Sequence, residues 1–330
     1  MSLYRTRVAG TGSYLPPDLI TNKDLEKLVD TNDEWIRERT GISERHRALP
    51  NQATSDLAYE ASLLAIKDAN LEPKDIDCII VGTVTGDYQT PSTSCVLQAK
   101  LGLNGIPAMD VGAACSGFIY ILSMADAYIR MGMYKNILIV GAEVTTRFVN
   151  YKDRETCILF GDGAGAWVVS RTDTQAKDVV YSSHLRAEGS LGDLFIRPSG
   201  GSKRPFSQEV LDDNSYWFTM KGREIYKNAV RTMSATCQEA LEFNKMNSSH
   251  IDWLVPHQAN WRIMEAVANH FDFPKEKVIS IVDQMGNTSA ATIPVAFDFA
   301  RKDGRIKRGQ TILLTAFGAG LTAGSAVLQF

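Results

Sequence analysis

Hydrophobic positions along the chain form two kinds of segment, short runs that are apolar throughout and longer stretches with helical spacing. The short apolar runs are predicted strands, and they cover 78–81, 106–111, 137–140, 166–169, 253–255, 278–282, 312–315 and 325–330. Apolar residues spaced three and four positions apart predict helices over 54–70, 116–131, 222–243, 258–271 and 288–303. Because the strands lack a polar face, helices must cover both sides of the sheets. The pattern therefore predicts a layered α/β fold.

Residues at the segment ends refine these bounds. Thr54 is a predicted N-cap, and Gly132 and Gly304 are predicted to end two of the other helices. The first half of the chain is expected to close near Ser170. The stretch 188–205, rich in glycine, serine and proline, is then a predicted long loop that opens the second half.

The two halves of the chain resemble each other. IDCIIVG at 76–82 is similar to IDWLVPH at 251–257, and NILIVGA at 136–142 is similar to TILLTAF at 311–317. Similarity at a nearly constant separation of about 170 residues indicates a duplicated βα unit. We expect Cys115 and Asn287 to occupy equivalent positions in the two copies, with His257 at a third strand end. Open α/β sheets place their chemistry at such strand ends.

Composition limits the class of protein. With 330 residues and 44% hydrophobic content, the chain can form a large core and two fused halves. The net charge of −3 does not favour nucleic-acid binding. Neither a secretory leader nor a long apolar span is evident, so a cytoplasmic protein is expected. Five cysteines without CxxC spacing predict free thiols rather than disulfides or a zinc site.

Cys115 is the candidate nucleophile. It follows a buried strand and begins a helix, where the helix dipole and the backbone N–H groups are expected to lower the pKa of the thiol. The small neighbours Ala113, Ala114 and Gly117 leave room for a substrate carbonyl. The alternative is a buried structural cysteine, as we expect for the thiols inside strand or helix runs, namely Cys78, Cys157 and Cys237.

His257 and Asn287 are the candidate partners of Cys115. Taken alone, His257 is more typical of a structural histidine and Asn287 of a helix cap. The duplication favours a functional role for both. Near a thiolate, the two side chains can donate hydrogen bonds to a carbonyl oxygen as it becomes an enolate.

Five longer motifs carry a family resemblance. VGAACSGF, VPHQANWRI, GNTSAATIP, DEWIRERTGISERH and FGDGAGA resemble β-ketoacyl-acyl-carrier-protein synthase III of the thiolase superfamily. The resemblance implies a five-layered αβαβα fold with two duplicated halves, 1–172 with the cysteine and 173–330 with the histidine and asparagine. It also implies a homodimer, no cofactor apart from the coenzyme A (CoA) thioester substrate, and the initiating condensation of type II fatty acid synthesis.

The resemblance also implies a two-step Claisen reaction. Cys115 takes an acyl group from acyl-CoA, and malonyl-acyl-carrier protein then loses CO₂ to give an enolate that attacks the acyl thioester. His257 and Asn287 match the pair that binds the malonyl thioester carbonyl. A glycine-rich segment is expected to complete the oxyanion hole with the Cys115 N–H, and its matching residues are Phe317, Gly318, Ala319 and Gly320. Ala319 replaces a frequent glycine, and its backbone is strained if its φ is positive.

Substrate-binding residues follow from the same resemblance. Trp35 and Arg154 match residues that sandwich the adenine of CoA, with Arg39 and Thr40 beside them. Asn260 matches a position that either faces the pantetheine arm or supports the residues that do.

Two further sites of the resemblance concern the carrier protein and the acyl chain. Lys227 and Arg262 match a basic patch for the acidic carrier protein. Thr90 stands before Pro91, where many acetyl-preferring relatives have a phenylalanine that caps the acyl channel across the dimer. A deeper channel and longer starter groups are expected here.

Other functions use some of the same residues. Cysteine hydrolases also combine cysteine, histidine and asparagine, and type III polyketide synthases or secondary-metabolite acyltransferases share the family's catalytic residues. A binding module with a degenerate site is a further alternative. GDGAGA at 161–166 lacks the context of a nucleotide-binding loop, and we expect it to pack at the dimer interface or the active-site wall.

Overall fold

A computed structural model describes residues 3–330 of the chain. Its strands are β1 (Arg5–Tyr14), β2 (Asp18–Thr21), β3 (Glu44–Arg47), β4 (Cys78–Gly82), β5 (Ala108–Val111), β6 (Asn136–Glu143), β7 (Gly163–Thr172), β8 (Val180–Ala187), β9 (Phe195–Ile196), β10 (Thr219–Met220), β11 (Trp253–Pro256), β12 (Thr311–Gly318) and β13 (Thr322–Gln329). Its helices are α1 (Asn22–Leu25), α2 (Asp33–Thr40), α3 (Thr54–Asp68), α4 (Thr93–Lys100), α5 (Gly117–Arg130), α6 (Arg154–Cys157), α7 (Gln208–Asp212), α8 (Gly222–Phe243), α9 (Trp261–His270), α10 (Val282–Met285) and α11 (Thr292–Lys302).

Two mixed sheets form the centre of the molecule. The first has the strand order β1-β7-β6-β4-β5, in which β4 is parallel to β5 and β6 while β7 is antiparallel to β1 and β6. The second has the order β11-β12-β13-β8, with β11 parallel to β12 and the other pairs antiparallel. Strands of the first sheet come from the first half of the chain, and strands of the second sheet come from the second half.

Helices separate and cover the two sheets. Helices α5 and α11 lie between them and contact strands of both sheets, and the largest hydrophobic cluster surrounds these two helices. On the outer side of the first sheet α3 packs across β1, β6 and β7, and on the outer side of the second sheet α8 packs across β8, β12 and β13. The predicted five-layered αβαβα arrangement is confirmed.

The duplication has a regular register. Strands β8, β11 and β12 each begin 175 residues after β1, β4 and β6, respectively. Two left-handed residues obey the same offset, Ala114 with φ 45° and Ser289 with φ 51°. Cys115 is therefore equivalent to Ala290, and Asn287 is equivalent to Gly112. The expected equivalence of Cys115 and Asn287 is wrong by three residues, although both lie beside the same kind of turn.

Three local predictions are also wrong, two of them because a side chain has a different partner. The N-cap of α3 is Ala53 rather than Thr54, and the Thr54 hydroxyl donates to the Thr85 carbonyl. Helix α9 begins at 261 rather than 258 because the Asn260 side chain caps it. The predicted strand 278–282 is a single bridge from residue 278 to β11, and α10 begins at 282.

The hydrophobic pattern missed β1 and β8, the equivalent strands of the two halves. β1 contains two glycines in its middle, and a side chain at Gly12 would collide with the Ala61 carbonyl of α3. The glycines of β1 allow a helix to pack closely on the strand, and for this reason β1 lacks the apolar pattern of the other strands. None of the helices within residues 3–330 is long and apolar enough to cross a membrane.

Candidate active site

A cavity of about 790 Å³ lies between the two halves and opens to solvent. Cys115, His257 and Asn287 all line it, as the sequence predicted. The other predicted site residues on its wall are Trp35, Arg39, Thr40, Arg154, Lys227, Asn260, Arg262, Phe317 and Gly318. Ala319 and Thr90 are not among the lining residues, and Thr90 is exposed on the surface.

Cys115 lies in the short 3-10 turn 114–116 that joins β5 to α5. The left-handed backbone of Ala114 turns the chain sharply at this point. Gly318 at the end of β12 approaches the turn so closely that a side chain there would lie 2.6 Å from the Cys115 backbone nitrogen. A glycine is required at 318 because the second half contacts the nucleophile through its backbone.

The surroundings of Cys115 favour the neutral thiol. The pKa of Cys115 is raised to about 12, chiefly by burial and also by the negative charge of Glu143, although the Ser289 hydroxyl opposes the shift. The expectation that the helix start lowers the thiol pKa is therefore wrong for this site, because loss of hydration outweighs it. Cys115 needs a proton acceptor before it can attack.

His257 follows β11, and its backbone N–H donates to the Thr315 carbonyl at 2.8 Å. Its Nδ1 lies 2.6 Å from the Thr292 hydroxyl, which is also 2.9 Å from the Ser289 carbonyl. A hydroxyl has one hydrogen to donate. When Thr292 donates to Nδ1, Nε2 carries a hydrogen and is a donor, and when Thr292 donates to Ser289, Nε2 is an acceptor. Thr292 thus allows both roles.

His257 is neutral at physiological pH. Burial lowers the pKa of its imidazole to about 3, because a charged ring loses its hydration inside the protein. The neutral ring has a single N–H hydrogen, so the hydrogen bond with Thr292 decides which of the two ring nitrogens carries it.

Asn287 is fixed by both its backbone and its side chain. Its N–H donates to the Leu159 carbonyl at 2.8 Å, and its carbonyl accepts from the Gly161 N–H at 3.1 Å. Its Oδ1 accepts from the Ser289 N–H at 2.9 Å, and a backbone N–H can only donate, so this atom is the amide oxygen. The amide nitrogen is left as a donor toward the cavity. Asn287 is therefore a local cap and a site residue at once.

Two buried residues support the site and were missed in the sequence. Ser289 contacts the elements that hold all three predicted catalytic residues, and its only signal was its place in GNTSA. Gln258 donates to the carbonyls of Pro256 and Ile279 and accepts from the Ile281 N–H. It thereby joins the strand that leads to His257 to the segment that leads to Asn287. In the sequence, its position next to His257 was the only indication of this role.

The outer end of the cavity carries the residues predicted to bind adenine. The Arg39 and Arg154 guanidinium groups lie 4.9 Å and 5.0 Å from the centre of the Trp35 ring, and Arg154 also donates to the Asp30 carbonyl. A base between two stacked groups needs about 7 Å, two carbon contact distances of about 3.5 Å. The sandwich is closed here, so adenine binding requires Arg154 to move away from Trp35.

The glycine-rich segment after β12 differs from expectation at one residue. Phe317 and Gly318 line the cavity, whereas Ala319 does not, and its carbonyl accepts from the Thr322 hydroxyl at 3.1 Å. The positive φ of this segment, 129°, belongs to Gly320, and Ala319 is not among the positive-φ residues. Alanine at 319 therefore carries no left-handed strain.

Basic side chains surround the cavity mouth. Lys227 on α8 and Arg262 on α9 are exposed there, with Arg262 5.9 Å from the centre of the Tyr226 ring. Arg223, one turn before Lys227, lines the same opening and was missed in the sequence. A lone arginine in a polar stretch gives no signal without its neighbours in space.

Residues 161–166, the GDGAGA segment, do not line the cavity, and Gly163 to Ala166 form the first part of β7. A side chain at Gly165 would lie 2.8 Å from Pro294 of α11, and Asp162 accepts from the Thr146 and Ala48 backbone N–H groups. Its glycines allow close packing of α11 against the sheet.

We expect His257 to make stability depend on pH. The folded-state pKa of about 3 lies below the unfolded value of about 6.5, so between these pH values only the unfolded chain binds the proton. Stability therefore rises with pH across this window. The advantage of the wild type over His257→Asn in free energy of unfolding should fall by about 2 kcal/mol from pH 7 to pH 5. Denaturant titrations measure it, with His270→Asn, which removes an exposed imidazole, as the control. An equal advantage at both pH values would contradict the prediction.

The chain is similar in sequence to the members of one known protein family. The family described as 3-oxoacyl-[acyl-carrier-protein] synthase III matches residues 109–189, and its C-terminal part matches residues 241–330. The β-ketoacyl-[acyl-carrier-protein] synthase III of Caldanaerobacter subterraneus subsp. tengcongensis is 49% identical over 323 residues, which cover 98% of this chain and 97% of that protein. The synthase of the same name from Xanthomonas oryzae pv. oryzae is 50% identical over 325 residues, covering 98% of each chain.

Solved structures agree with the sequence comparisons. The crystal structure of 3-oxoacyl-[acyl-carrier-protein] synthase III from Aquifex aeolicus superposes with a TM-score of 0.91 at 45% identity, covering 98% of this chain and all of that one. The corresponding structure from Pseudomonas aeruginosa gives a TM-score of 0.91 at 36% identity, covering 99% and 98%. By sequence, fold and the residues that line its cavity, the chain belongs to the β-ketoacyl-acyl-carrier-protein synthase III family.

Proposed function

We propose that this chain catalyses the initiating condensation of type II fatty acid synthesis. The reaction joins the acyl group of an acyl-CoA to malonyl-acyl-carrier protein, releases CO₂ and CoA, and gives a 3-ketoacyl-acyl-carrier protein. The observation that carries the proposal is the meeting of Cys115, His257 and Asn287 in one cavity, whose outer end holds Trp35 and Arg154. A buried nucleophile and a surface site for a nucleotide suit a substrate with a long flexible arm between its reactive thioester and its base.

In the first step Cys115 attacks the thioester carbonyl of acyl-CoA. The carbonyl oxygen becomes negatively charged, and in this proposal the backbone N–H groups of Cys115 and of the segment at 318–319 donate to it. CoA leaves as the thiolate, and the acyl group stays on the Cys115 sulfur. The close approach of Gly318 to Cys115 supports this role, because it brings the two backbone segments together.

In the second step His257 and Asn287 bind the malonyl thioester. His257 Nε2–H and Asn287 Nδ2–H both donate to the thioester oxygen, which becomes an enolate as CO₂ leaves. Both side chains are neutral, so they stabilise this charge without forming a fixed ion pair with the malonyl carboxylate. The enolate carbon then attacks the acyl group on Cys115 and completes the Claisen condensation.

Docking of the carrier protein is assigned to the basic cavity mouth. Lys227 and Arg262 are exposed there together with Arg223, and a carrier protein with an acidic surface would be attracted to this cluster. The phosphopantetheine arm would then enter beside Asn260, which lines the same opening.

We also propose that the protein is a homodimer and that each subunit consists of two halves. The segment 84–91 exposes Val84 and Tyr88, at 42% and 65% of their surfaces, and Thr90 lies beside them. Apolar side chains exposed together are typical of an interface. A partner subunit bound to this segment would bring Thr90 toward the partner's acyl channel.

We further infer that the chain divides at residue 172 into two units of one duplicated fold.

We place the reaction in the cytoplasm. The proposed chemistry requires Cys115 as a free thiol, and the reducing conditions of the cytoplasm keep thiols free.

Substitution of the three catalytic residues should separate the two steps. Cys115→Ala should abolish formation of the acyl-enzyme, whereas the exposed Cys95→Ala should acylate normally. His257→Ala and Asn287→Ala should still acylate but lose malonyl decarboxylation by about 10² to 10³, the usual effect of removing one oxyanion donor. Intact-mass spectrometry and CO₂ release measure the two steps. Acylation and condensation by Cys115→Ala, or loss of acylation alone in the other two variants, would contradict these roles.

Reversal of a charge at the cavity mouth should affect the carrier protein selectively. Arg262→Glu should raise KM for malonyl-acyl-carrier protein far more than KM for malonyl-CoA, because only the protein offers an acidic surface. The effect should shrink as salt rises, since the Debye length is about 8 Å at physiological ionic strength. Arg7→Glu, the same charge change at an exposed position outside the cavity, is the control. Equal changes for both donors would remove Arg262 from the docking site.

The size of residue 90 should set the preferred starter. Each CH₂ of an acyl chain that is buried in a deeper channel contributes up to about 0.8 kcal/mol. We therefore expect Thr90→Phe to lower the ratio of kcat/KM for octanoyl-CoA over acetyl-CoA, while the small replacement Thr90→Ser leaves it nearly unchanged. If the wild-type ratio is far below 1 and Thr90→Phe does not change it, residue 90 does not have this role. Analytical ultracentrifugation of the same samples tests whether the protein is a dimer.

A further inference from the structure

Glu143 is a fully buried acid at the end of β6 that takes no part in the steps above. Its carboxyl group accepts hydrogen bonds from the Thr83 hydroxyl at 3.1 Å, the Val84 backbone N–H at 3.2 Å and the Thr85 hydroxyl. A further hydrogen bond, 3.0 Å long, runs from the Ser289 hydroxyl to Oε1. Within residues 3–330 no cationic side chain forms an ion pair with it, and a buried acid without such a partner is costly to ionise.

Ser289 connects this acid to the nucleophile. The turns 114–116 and 289–291 pack against each other, the Ser289 hydroxyl hydrogen-bonds Glu143, and its interaction with the Cys115 thiol lowers the pKa of that thiol. A serine hydroxyl has one hydrogen. When Glu143 is ionised, that hydrogen goes to the carboxylate, and the Ser289 oxygen is left to accept the S–H of Cys115. Ser289 then lies between the two groups and can pass a proton from one to the other.

We propose that Glu143 accepts the proton of Cys115 through the Ser289 hydroxyl, and we call these three residues the relay. The inference rests on the nucleophilic role proposed for Cys115. The S–H bond of Cys115 breaks as its proton moves to Ser289 Oγ, and the original O–H bond of Ser289 breaks as that proton moves to Glu143 Oε1. The negative charge passes from the carboxylate to the sulfur, and no proton enters or leaves the protein.

The condensation step returns the proton. When the enolate attacks the acyl-enzyme, the bond between the acyl carbon and the sulfur breaks, and Cys115 leaves as a thiolate with the electron pair. The thiolate recovers the proton from Glu143 through Ser289, which restores the resting thiol and carboxylate. The CoA thiolate released in the first step takes its proton from water. Each turnover therefore consumes one proton from solvent.

Burial makes Glu143 a better proton acceptor than His257. It raises the pKa of Glu143 to about 7 and lowers the pKa of His257 to about 3, because in both cases it disfavours the charged form. The group with the higher pKa holds the Cys115 proton more readily. Neutralising Glu143 also removes the negative charge that raises the pKa of Cys115.

Other titratable groups around Glu143 have partners of their own. Cys115 faces its carboxyl group through Ser289, and His257 is bound to Thr292. The remaining acids on the neighbouring elements are paired, namely Asp56 with Lys100, Asp87 with Ser55, Asp126 with Arg130, Asp162 with Thr146 and Asp298 with Lys302. Cys78 and Arg171 lie at the far end of β6. Glu143 and His257 are thus the two groups to be separated by substitution.

The test is the pH dependence of single-turnover acylation of Cys115 by acetyl-CoA, followed by rapid quenching and intact mass in a Cys95→Ala background. Attack through the relay needs Glu143 as a carboxylate, so its rate should rise to a break near pH 7 and stay level above it. Attack by a thiolate that has lost its proton to solvent would instead rise about tenfold per pH unit, because the pKa of Cys115 lies well above this range.

Two variants interrupt the relay and one control leaves it intact. Glu143→Gln and Ser289→Ala should each remove the level region, so that the rate rises about tenfold per pH unit throughout. Alanine suits position 289, because Ala114 has the same left-handed backbone in the equivalent turn. Thr83→Val removes one donor to Glu143 but keeps the relay. Its break should persist at a higher pH, because loss of that donor raises the pKa of Glu143.

Two results would overturn the relay. One is a wild-type rate that already climbs about tenfold per pH unit above pH 7. The other is a break that persists in Ser289→Ala or Glu143→Gln, and since each variant interrupts the relay alone, one folded variant is sufficient. Alkylation of Cys115 by iodoacetamide is measured on the same samples. A wild type that is alkylated at Cys115 but never acylated there would contradict the proposed function, on which the relay depends.

Discussion

Contact between two short turns in the middle of the molecule sets the geometry of the whole site. The turns 114–116 and 289–291 come from equivalent places in the two halves and pack against each other between the sheets. Backbone approaches backbone at this point: a side chain at Gly141 would collide with the Ala290 carbonyl, and one at Gly318 would reach the Cys115 nitrogen. Such contacts leave little freedom, so the nucleophile and its partners are held before substrate arrives.

Ser289 is the residue through which this contact acts. Its N–H orients the Asn287 amide, and its carbonyl lies 2.9 Å from the Thr292 hydroxyl, which in turn contacts His257. Its hydroxyl lies between Cys115 and Glu143. The left-handed backbone of Ser289 directs these three groups to different sides of the turn, so one strained residue positions side chains from both halves of the chain.

Exclusion of water has the same effect on every titratable group of the inner site. Burial raises the pKa of Cys115 and Glu143 and lowers that of His257, so each group is pushed toward its neutral form. With its own titratable groups neutral and buried, the site makes the enolate charge the strongest one present during condensation, and hydrogen bonds to it are worth more than they would be in water. The charged residues, by contrast, lie at the exposed mouth, where Arg154 and Arg262 keep their hydration.

The sequence by itself determined the layers and the repeat, and it identified three candidate site residues that line one cavity. Strands such as β4 and β6 are apolar throughout because they are buried on both faces, and this is visible in a local pattern. The same pattern did not predict β1, because glycines that allow close helix packing take the place of apolar residues there. Only the tertiary structure decided the state of the site, because Ser289 and Glu143 are 146 residues apart and meet through packing. The direction of the Cys115 pKa shift likewise depends on how completely the fold removes water, which no local motif specifies.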